Sequence, residues 1–327
     1  MSSAPLEIER TSPVSGAEAF ELTVIIVSYN TRELTLKALE TLYATAPEVP
    51  MRVVVWDNAS ADGSAEVVAQ HFPQAELTRS ADNIGFARAN NRVAETVSTD
   101  WMLLLNPDTE VHDGAIQNLL AFSKAHPGAG ITGGRTVFPD GSLNIASCWQ
   151  KVTPWSLFCS AFFLTNLFPK SELFNPEAMG GWQRDTVRQV DIVVGCFLMI
   201  PTALWRKLGG FDEKYFMYGE EADLCLRAAE IGYRPMVTPD AQIMHLVGAA
   251  SSLRTDKIVR VAKAKATLVR DHWHPALVPL GLAQLWLWGA MRRLGTSIAA
   301  LLAGKTAARD SWQVIWGQRR DWLAGYR

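Results

Sequence analysis

The chain has 327 residues, of which 48% are apolar and 20% charged, a balance that excludes a disordered or fibrous protein. The length suits one large domain with an appendage. The net charge of −2 is unevenly divided, because residues 251–327 carry 13 Lys and Arg against only 4 Asp and Glu. An acidic body with a basic tail argues against a nucleic-acid-binding protein and indicates that the tail meets an anionic surface.

The cysteines and the first residues indicate the compartment. Four cysteines are present, none in a Cys-x-x-Cys pair and none beside a cluster of histidines: Cys148, Cys159, Cys196 and Cys225. They are expected to be reduced and mostly buried, which predicts neither a zinc site nor a disulfide framework and favours the cytosol. Residues 1–20 lack the apolar run of a signal peptide and are expected to form a flexible leader.

From residue 22 onward, predicted strands alternate with predicted helices. The β-branched run 22–29 is typical of a strand buried on both faces of a parallel sheet. Asn30 and Glu33 then form a capping pattern for a helix. Further strands are predicted at 51–56, 76–78 and 101–105, with helices around 67–71 and from about 86. This alternation predicts a doubly wound, mostly parallel α/β sheet with helices on both faces.

The second half has longer apolar stretches and more loop. Residues 155–168 would make about four helical turns, and 190–200 is a long strand candidate. Pro201 begins a short helix that ends at Gly209-Gly210, and an aromatic loop follows. The remaining elements are a helix over 220–231 and two short strands, at 234–237 and 242–245.

The tail contains sixteen uncharged residues, 276–291, followed by Arg292-Arg293. Such a helix is about 24 Å long, shorter than a hydrocarbon core of roughly 30 Å. Continuing through two arginines would cost roughly 2.5–3.5 kcal/mol for each. Six of the twelve tryptophans lie in this tail, at 273, 286, 288, 312, 316 and 322. The pattern favours a helix in the membrane interface; the alternative is a helical hairpin that packs on the domain or on a second subunit of a homodimer.

Polar residues follow four consecutive predicted strands. They are, in chain order, Ser28-Tyr29-Asn30, Asp57-Asn58, Asn83-Ile84-Gly85-Phe86 with Asn90-Asn91, and Asn106-Pro107-Asp108. In open α/β sheets, ligands bind beyond the carboxyl ends of the strands. These residues are therefore expected to form one binding edge.

The residue types at this edge indicate roles, each with a structural alternative. Asp57 could accept the N3–H of a uracil or thymine, or cap the next helix. Gly85 could admit a ligand close to the backbone, or simply begin a helix, and the Asn90 amide can both donate and accept. Asp108, on a loop stiffened by proline, suits a divalent cation that also binds pyrophosphate; alternatively it caps the helix near 116–122.

A second acidic cluster begins the helix predicted from residue 220. Glu220 and Asp223 share one face of that helix, and Glu221 points about 100° away from them. The cluster could be an ordinary acidic first turn, but one carboxylate could also deprotonate an acceptor hydroxyl. His245 could contact a metal or phosphate, or be structural.

Other enzyme signatures are missing from the sequence. It contains no GxGxxG, GxxxxGK[ST], GxSxG or HExxH motif. Dinucleotide-dependent oxidoreductases, P-loop NTPases, α/β-hydrolases and zincins therefore lose their main support.

Taken together, the motifs resemble family 2 glycosyltransferases, and within them the bacterial rhamnosyltransferase-like branch. The resemblance covers residues 22–250 and is carried by residues 27–30 (VSYN), 57–64 (DNASADGS), 83–91 (NIGFARANN), 105–109 (LNPDT) and 209–224 (GGFDEKYFMYGEEADL). It implies a GT-A fold, a nucleotide-sugar donor, inversion at the anomeric carbon and a divalent cation, Mg²⁺ or Mn²⁺.

The resemblance also implies roles for individual residues. Asp57 would read the base, Asp108 would bind the metal, with His245 as a late metal or diphosphate contact, and Glu221 would be the catalytic base. The implied donor-binding residues are Ser28, Tyr29, Asn30, Asp57, Asn83, Gly85, Phe86, Asn90 and Asn106. The chain departs from the family pattern twice: Asn106 replaces the first Asp of DxD, and Glu220-Glu221 replaces Glu-Asp. The second departure keeps Glu220 and Asp223 as alternative bases.

The resulting hypothesis is an inverting, metal-assisted transferase that moves rhamnose from dTDP-rhamnose to a lipid-linked or polysaccharide acceptor. It would lie on the cytoplasmic face of a bacterial cell membrane. A transferase domain (21–250) would divide into a donor half (21–137) and an acceptor half (138–250), with Trp182, Asp191 and the 155–168 stretch as acceptor contacts, and a helical tail (251–327) would follow. The alternatives are a UDP-sugar donor, such as galactose or galactofuranose, and an inert sugar-nucleotide-binding scaffold at the membrane.

Overall fold

The computed structural model describes residues 9–11, 20–46, 48–246, 254–303 and 306–327. The strands are β1 (Glu9–Thr11), β2 (Leu22–Ser28), β3 (Met51–Asp57), β4 (Glu76–Arg79), β5 (Trp101–Leu105), β6 (Thr109–Val111), β7 (Thr132–Val137), β8 (Leu143–Asn144), β9 (Cys148–Trp149), β10 (Arg188–Gln189), β11 (Ile192–Val193), β12 (Phe197–Pro201) and β13 (Met236–His245).

The α-helices are α1 (Arg32–Thr45), α2 (Ser64–His71), α3 (Phe86–Ala94), α4 (Ala115–Ala125), α5 (Pro154–Ala161), α6 (Leu164–Leu167), α7 (Thr202–Leu208), α8 (Glu220–Glu230), α9 (Arg254–His272), α10 (Val278–Ala303), α11 (Ala307–Gly317) and α12 (Arg319–Ala324).

The main sheet has the strand order β1-β4-β3-β2-β5-β12-β7-β13-β10. Strands β4, β3, β2 and β5 are mutually parallel, with Leu22 opposite both Met51 and Trp101. Strand β12 is antiparallel to both β5 and β7, and β13 runs parallel to β7. Because β2 to β5 are parallel, the residues that follow them emerge at one edge of the sheet, as the sequence predicts.

Helices cover both faces of this sheet. On one face, alternate residues of the central strands, such as Ile25 and Leu104, pack with α3, α7 and α8. On the other face, their neighbours, such as Val24 and Leu103, pack with α1, α2 and α4. Burial on both sides explains why these strands have continuous β-branched and leucine-rich runs. The predicted doubly wound sheet is confirmed.

Three elements of the second half differ from the prediction. The 155–168 stretch is two helices, α5 and α6, separated at Phe163, whose φ of +60° ends the first. The single strand predicted over 190–200 is also two, because β11 pairs with β9 whereas β12 joins the main sheet. Conversely, the two short strands predicted before residue 246 form one strand, β13, with a bulge between Val237 and Gln242.

The predicted flexible leader is only partly described. Its residues 9–11 form β1, which pairs antiparallel with β4 at the edge of the main sheet. Residues 1–8 and 12–19 lie outside the described part of the chain.

The tail helices pack against one another and against α5. Trp322, Ile315 and Val269 are buried in one cluster with Leu157 of α5. The Nε1 of Trp273 donates to the Val152 carbonyl oxygen at 3.1 Å. Four tail tryptophans pack in or against this cluster, namely Trp273, Trp288, Trp312 and Trp322, and their placement at lipid headgroups stays a prediction. Their apolar surface is buried within the chain, as the hairpin alternative predicts.

The uncharged run predicted at 276–291 begins with a 3₁₀ turn and continues as α10 through Arg292-Arg293 to Ala303. Within the described residues, no helix combines the length and apolarity that a bilayer span requires.

Candidate active site

Asp57, at the carboxyl end of β3, has the environment expected of a ligand-reading carboxylate. It is buried, and its Oδ2 accepts a hydrogen bond from the Ser60 backbone at 3.1 Å. Its Oδ1 is also buried but has no hydrogen-bond partner among the described residues. Burial raises the pKa of Asp57, and hydrogen bonds from Ser60 oppose that increase. A buried, unused acceptor is costly unless a ligand donor satisfies it, as a nucleobase N–H would.

Three predicted donor contacts are occupied in holding the loops of this edge. The Asn30 Oδ1 accepts from the Ala61 backbone at 2.8 Å, and the Asn83 Oδ1 accepts from the Asn58 amide at 2.9 Å and from Gly85. The Ser28 hydroxyl is buried among the hydroxyls of Thr31 and Thr35. These side chains therefore shape the edge from behind. Tyr29, in contrast, is 43% exposed.

Gly85 does admit a close backbone approach, but the partner is the chain itself. Its φ is +85°, and an added Cβ would lie 2.6 Å from the Phe216 carbonyl oxygen, which accepts from the Phe86 N–H at 3.0 Å. This contact connects the donor side to the loop before α8. Asn90 is buried, and its Oδ1 has no hydrogen-bond partner in the described regions.

Asp108 and His245 form a buried pair beyond the ends of β5 and β13. The Asp108 Oδ1 lies 3.3 Å from the His245 Nε2. Burial by itself lowers the pKa of His245, but Cys196 and Asp108 outweigh it and raise that pKa to about 10. The Nδ1 of His245 is buried and lacks a partner within the described residues. Asn106, the first residue of the DxD-like triplet, is half-buried, and its carbonyl accepts from Thr109.

Asp108 fits a divalent cation as one protein ligand, and His245 would be a second once the cation displaces the proton that its raised pKa favours. A carboxylate and an imidazole both suit Mn²⁺, and the carboxylate also suits Mg²⁺. No cluster of three His, Cys, Asp or Glu that could hold a metal exists in the part of the chain that the structure describes. The other ligands would therefore come from water and from a bound diphosphate, which is common for Mg²⁺ in phosphate-binding sites.

The two glutamates at the start of α8 differ in exposure. Glu220 is buried and Glu221 is half-buried, and in both the Oε2 is buried and makes no hydrogen bond to the described residues. Burial raises the pKa of both, and for Glu220 the charge of Glu221 adds to the effect.

Glu221 is the glutamate that adjoins the donor side. A Cβ added at Gly195 would lie 3.4 Å from the Phe86 ring and 4.0 Å from the Glu221 Cβ, so Gly195 separates the two. Burial raises the pKa of Tyr218, Arg260 opposes that increase, and the charges of Glu220, Glu221 and Asp108 add to it.

Asp223, an alternative catalytic base in the sequence analysis, has a different arrangement. It is buried; its Oδ2 accepts from the Arg227 Nε at 2.7 Å, and its Oδ1 lies 2.9 Å from the His272 Nε2. Burial opposes ionisation, but His272 and Arg227 lower the pKa of Asp223 overall. Both of its oxygens are thus occupied, which suits a positioning residue that joins α8 to α9.

Sequence reasoning missed four tail residues that meet α8 or the loop before it. The Arg260 guanidinium lies 5.4 Å from the centre of the Phe216 ring, and the Lys257 ammonium 5.9 Å from that of Tyr218. The Tyr326 hydroxyl donates to the Met217 carbonyl at 2.8 Å. His272 is the fourth. The excess of basic residues after position 250 was the available signal.

The two candidate acceptor contacts lie elsewhere on the acceptor half. The Trp182 ring is flanked by the guanidinium groups of Arg184 and Arg188, at 4.7 and 5.0 Å. The Asp191 Oδ2 accepts from the Lys151 backbone at 2.9 Å. Both side chains are committed to local contacts, and none of their described hydrogen bonds or ring contacts involves Asp108 or Glu221.

Comparison with known proteins is consistent with this site. The sequence profile described as glycosyl transferase family 2 matches residues 23–190. An N-acetylglucosaminyl-diphospho-decaprenol L-rhamnosyltransferase of Mycobacterium tuberculosis is 27% identical, over 68% of this chain and 75% of its own length. The rhamnosyltransferase WbbL of Escherichia coli is 26% identical, over 68% and 82% of the two chains.

Solved structures show the same fold. A mannosyltransferase from Pyrobaculum calidifontis, in complex with GDP-Man and Mn²⁺, superposes with a TM-score of 0.56 at 20% identity, covering 98% of this chain and 87% of its own. Residues 1–349 of S. aureus TarS, in complex with UDP-GlcNAc, superpose with a TM-score of 0.54 at 15% identity, covering 93% and 82%. The predicted GT-A fold with a helical C-terminal extension is confirmed.

Proposed function

The chain belongs to glycosyl transferase family 2 and is a glycosyltransferase, and from this premise we propose that it is an inverting, metal-assisted rhamnosyltransferase. Its donor would be dTDP-rhamnose, and its acceptor a lipid-linked or polysaccharide sugar in the assembly of a bacterial cell wall or surface polysaccharide. It would work on the cytoplasmic face of the cell membrane.

One observation carries the proposal. Glu220 and Glu221 each have a buried, unpartnered Oε2, but Glu221 is the one that lies across Gly195 from the donor side, and Asp223 is held in ion pairs. A carboxylate whose pKa is raised by burial is a better proton acceptor near neutral pH than an ordinary one. Attack by one activated hydroxyl on the sugar face opposite the diphosphate inverts the anomeric centre.

The remaining roles follow from the same geometry. Asp57 accepts the base N–H with its free Oδ1, and Asp108 with His245 holds the cation. When bound, that cation neutralises charge on the departing diphosphate. Arg260 and Lys257 add positive charge beside the same loop, and no salt bridge joins either of them to another of the described residues. Glu221 removes the acceptor proton as the glycosidic bond forms.

The relatives support the choice of sugar and acceptor. Two of them are named rhamnosyltransferases, and the mycobacterial one is named for an acceptor linked through diphosphate to decaprenol. A lipid-linked acceptor would also account for a basic tail, which an anionic leaflet attracts. A UDP-sugar donor, such as UDP-galactose or UDP-galactofuranose, remains the nearer alternative, and an inert sugar-nucleotide-binding scaffold the more distant one.

The test is a thermal-shift screen of the full chain followed by a turnover assay. Only ligands that bind the folded state raise the melting temperature. We expect the largest shift with dTDP-rhamnose plus Mn²⁺, and release of dTDP only when a diphosphate-linked N-acetylglucosamine acceptor is present. A larger shift and faster turnover with a UDP-sugar would show that the donor is that UDP-sugar and not dTDP-rhamnose. Binding without donor consumption, across acceptors of both classes, would indicate the scaffold.

A further inference from the structure

Helices α5, α6 and α10 expose more apolar surface than a water-facing region needs. On α10, Leu294, Ile298 and Leu301 recur at helical spacing on one face, and both Leu301 and Leu302 are about 85% exposed (85% and 84%). On α5 and the turn after it, the rings of Trp155, Phe158 and Phe162 stack in sequence, with centroids 5.5 and 4.7 Å apart. Exposed apolar patches of this kind mark protein or membrane contacts.

A cavity of about 400 Å³ opens between these two groups of helices. Its lining residues are Phe163, Asn166, Arg292, Gly295, Thr296, Ala299 and Trp312. Residues next to the lining in the chain, such as Phe162, Leu167 and Ile298, are themselves exposed and apolar. The cavity is therefore an opening with a few polar side chains, surrounded by an apolar surface. Its volume is in the range of ordinary ligand pockets.

Arg292 supplies the charge in this cavity. Its guanidinium lies 4.9 Å from the Phe163 ring centre and 5.1 Å from that of Trp288, and one nitrogen donates to the Ser160 carbonyl at 2.9 Å. No carboxylate forms a salt bridge with it anywhere in the described chain. Burial lowers its pKa to about 10, so it remains charged near neutral pH. A largely desolvated cation without an anion is costly, and an anionic ligand would relieve that cost.

We propose that this cavity binds the phosphate of an anionic membrane phospholipid, with Arg292 as its cation, while the exposed rows of α5, α6 and α10 enter the acyl region. Charge complementarity favours this occupant over a second copy of the chain, because residues 251–327 carry 13 basic against 4 acidic residues. The inference rests on the proposed function in one respect: a lipid-linked acceptor would bring the protein to a membrane.

The experiment measures partitioning of the full chain onto vesicles by co-sedimentation. The vesicles are phosphatidylcholine alone or phosphatidylcholine with about 30% phosphatidylglycerol. The variants are Arg292→Gln, Arg292→Lys and the matched control Arg293→Gln. The control removes the same charge from the neighbouring arginine, which is exposed. A double variant, Leu301→Asn with Leu302→Asn, tests the apolar row. Thermal melting confirms that each variant folds.

We expect Arg292→Gln to weaken binding to anionic vesicles by about 10–100-fold, the loss of a charge-assisted hydrogen bond. Arg293→Gln should weaken binding to anionic vesicles by about 5-fold or less, which is the effect of one basic residue near an anionic surface. Arg292→Lys should retain part of the affinity. The double leucine variant should weaken binding also at high salt, because salt does not screen apolar burial.

Four results would overturn the site. Equal losses in Arg292→Gln and Arg293→Gln would mean unspecific charge attraction. Equal binding to neutral vesicles would mean that no phosphate site operates. A melting shift with inorganic phosphate, but no vesicle binding, would mean a soluble anion pocket. A dimer in light scattering, lost in the double leucine variant and without vesicle binding, would mean that a second copy covers the surface. Donor turnover is recorded for every variant with a short-chain acceptor, so failure of the proposed function is seen separately.

Discussion

The donor side and the acceptor side of this site are held by different kinds of contact. On the donor side, Asp57 ends β3 and Asn58 follows it, and the loop there is fixed by partners at shorter separations, such as Asn83 for Asn58 across 25 positions. On the acceptor side, the start of α8 is fixed by residues far away in sequence: His272 contacts Asp223 across 49 positions, and Tyr326 contacts Met217 across 109.

This difference shows which parts of the chain hold each side of the site in place. The donor side depends on the sheet and its tight turns, so changes there should affect binding and catalysis with little effect on the tail. The acceptor side depends on tail helices that are themselves remote from the strands, so changes in the tail should reach the reaction. Five measurements can break or sharpen this comparison.

The largest expected effect is that of Glu221→Gln. The substitution keeps the shape of the side chain and removes the proton acceptor, so kcat should fall by about 10²–10⁴-fold with donor affinity little changed. Steady-state transfer and donor titration measure the two quantities. Glu220→Gln is the matched control on the same helix turn. Loss of donor binding, or a larger fall in Glu220→Gln, would remove Glu221 from the role of base.

Next in size is Asp108→Asn, which tests the donor side. Removal of one charged ligand from the cation should lower kcat/KM by about 10²–10³-fold and weaken Mn²⁺ dependence, and the melting temperature should fall because His245 loses its buried partner. Asp113→Asn, an exposed carboxylate on the following turn, is the control and should behave as wild type. Full activity of Asp108→Asn in the presence of a chelator would contradict metal assistance at this residue.

Stability should reveal the link between α8 and α9. Asp223→Asn leaves Arg227 and His272 without their carboxylate, at a cost of about 2–3 kcal/mol in the free energy of unfolding. Urea denaturation measures it, with Asp185→Asn, an exposed carboxylate, as control. If Asp223→Asn instead kept its stability and lost turnover as severely as Glu221→Gln, Asp223 would be the base.

The same link predicts a pH dependence. Burial opposes protonation of His272, but its hydrogen bonds with Asp223 and Glu230 outweigh burial and raise its pKa. A raised pKa stabilises the fold fully below the unfolded value of about 6.5, and this stabilisation is lost as the pH rises through the folded value. Wild type should therefore lose more stability than His272→Gln between pH 6 and pH 9. Parallel curves for the two proteins would show that His272 does not contribute.

The smallest expected effect is that of Tyr326→Phe. It removes one hydrogen bond to the Met217 carbonyl, worth about 1 kcal/mol, from the loop that precedes Glu220. We expect a change of a few fold in the KM for acceptor and none in donor affinity. Tyr43→Phe, which removes a hydroxyl that has no hydrogen bond within the described residues, is the control. An equal effect on donor affinity would show that the two sides are not separately held.

The sequence by itself determined the sheet, its parallel strands and the residues at their ends. Residues 22–105 carry strong local signals, because a strand buried on both faces needs a continuous apolar run and a turn beyond it needs glycine, asparagine or aspartate. Asp57 and Asp108 could therefore be named as candidates from their places after predicted strands, whereas Glu221 was indicated by the family resemblance, with Glu220 and Asp223 as alternatives.

Only the tertiary structure decided which of these polar residues are free to act. A side chain such as Asn30 or Asn83 looks like a ligand contact until its partner is known, and Asp223 looks like a base until Arg227 and His272 are placed beside it. The same holds for the tail, where tryptophans from several segments pack in one cluster with Leu157 of α5, whereas Leu294, Ile298 and Leu301 of α10 stay exposed. The reason is physical: composition fixes what a side chain can bind, but availability depends on partners that folding brings from distant parts of the chain.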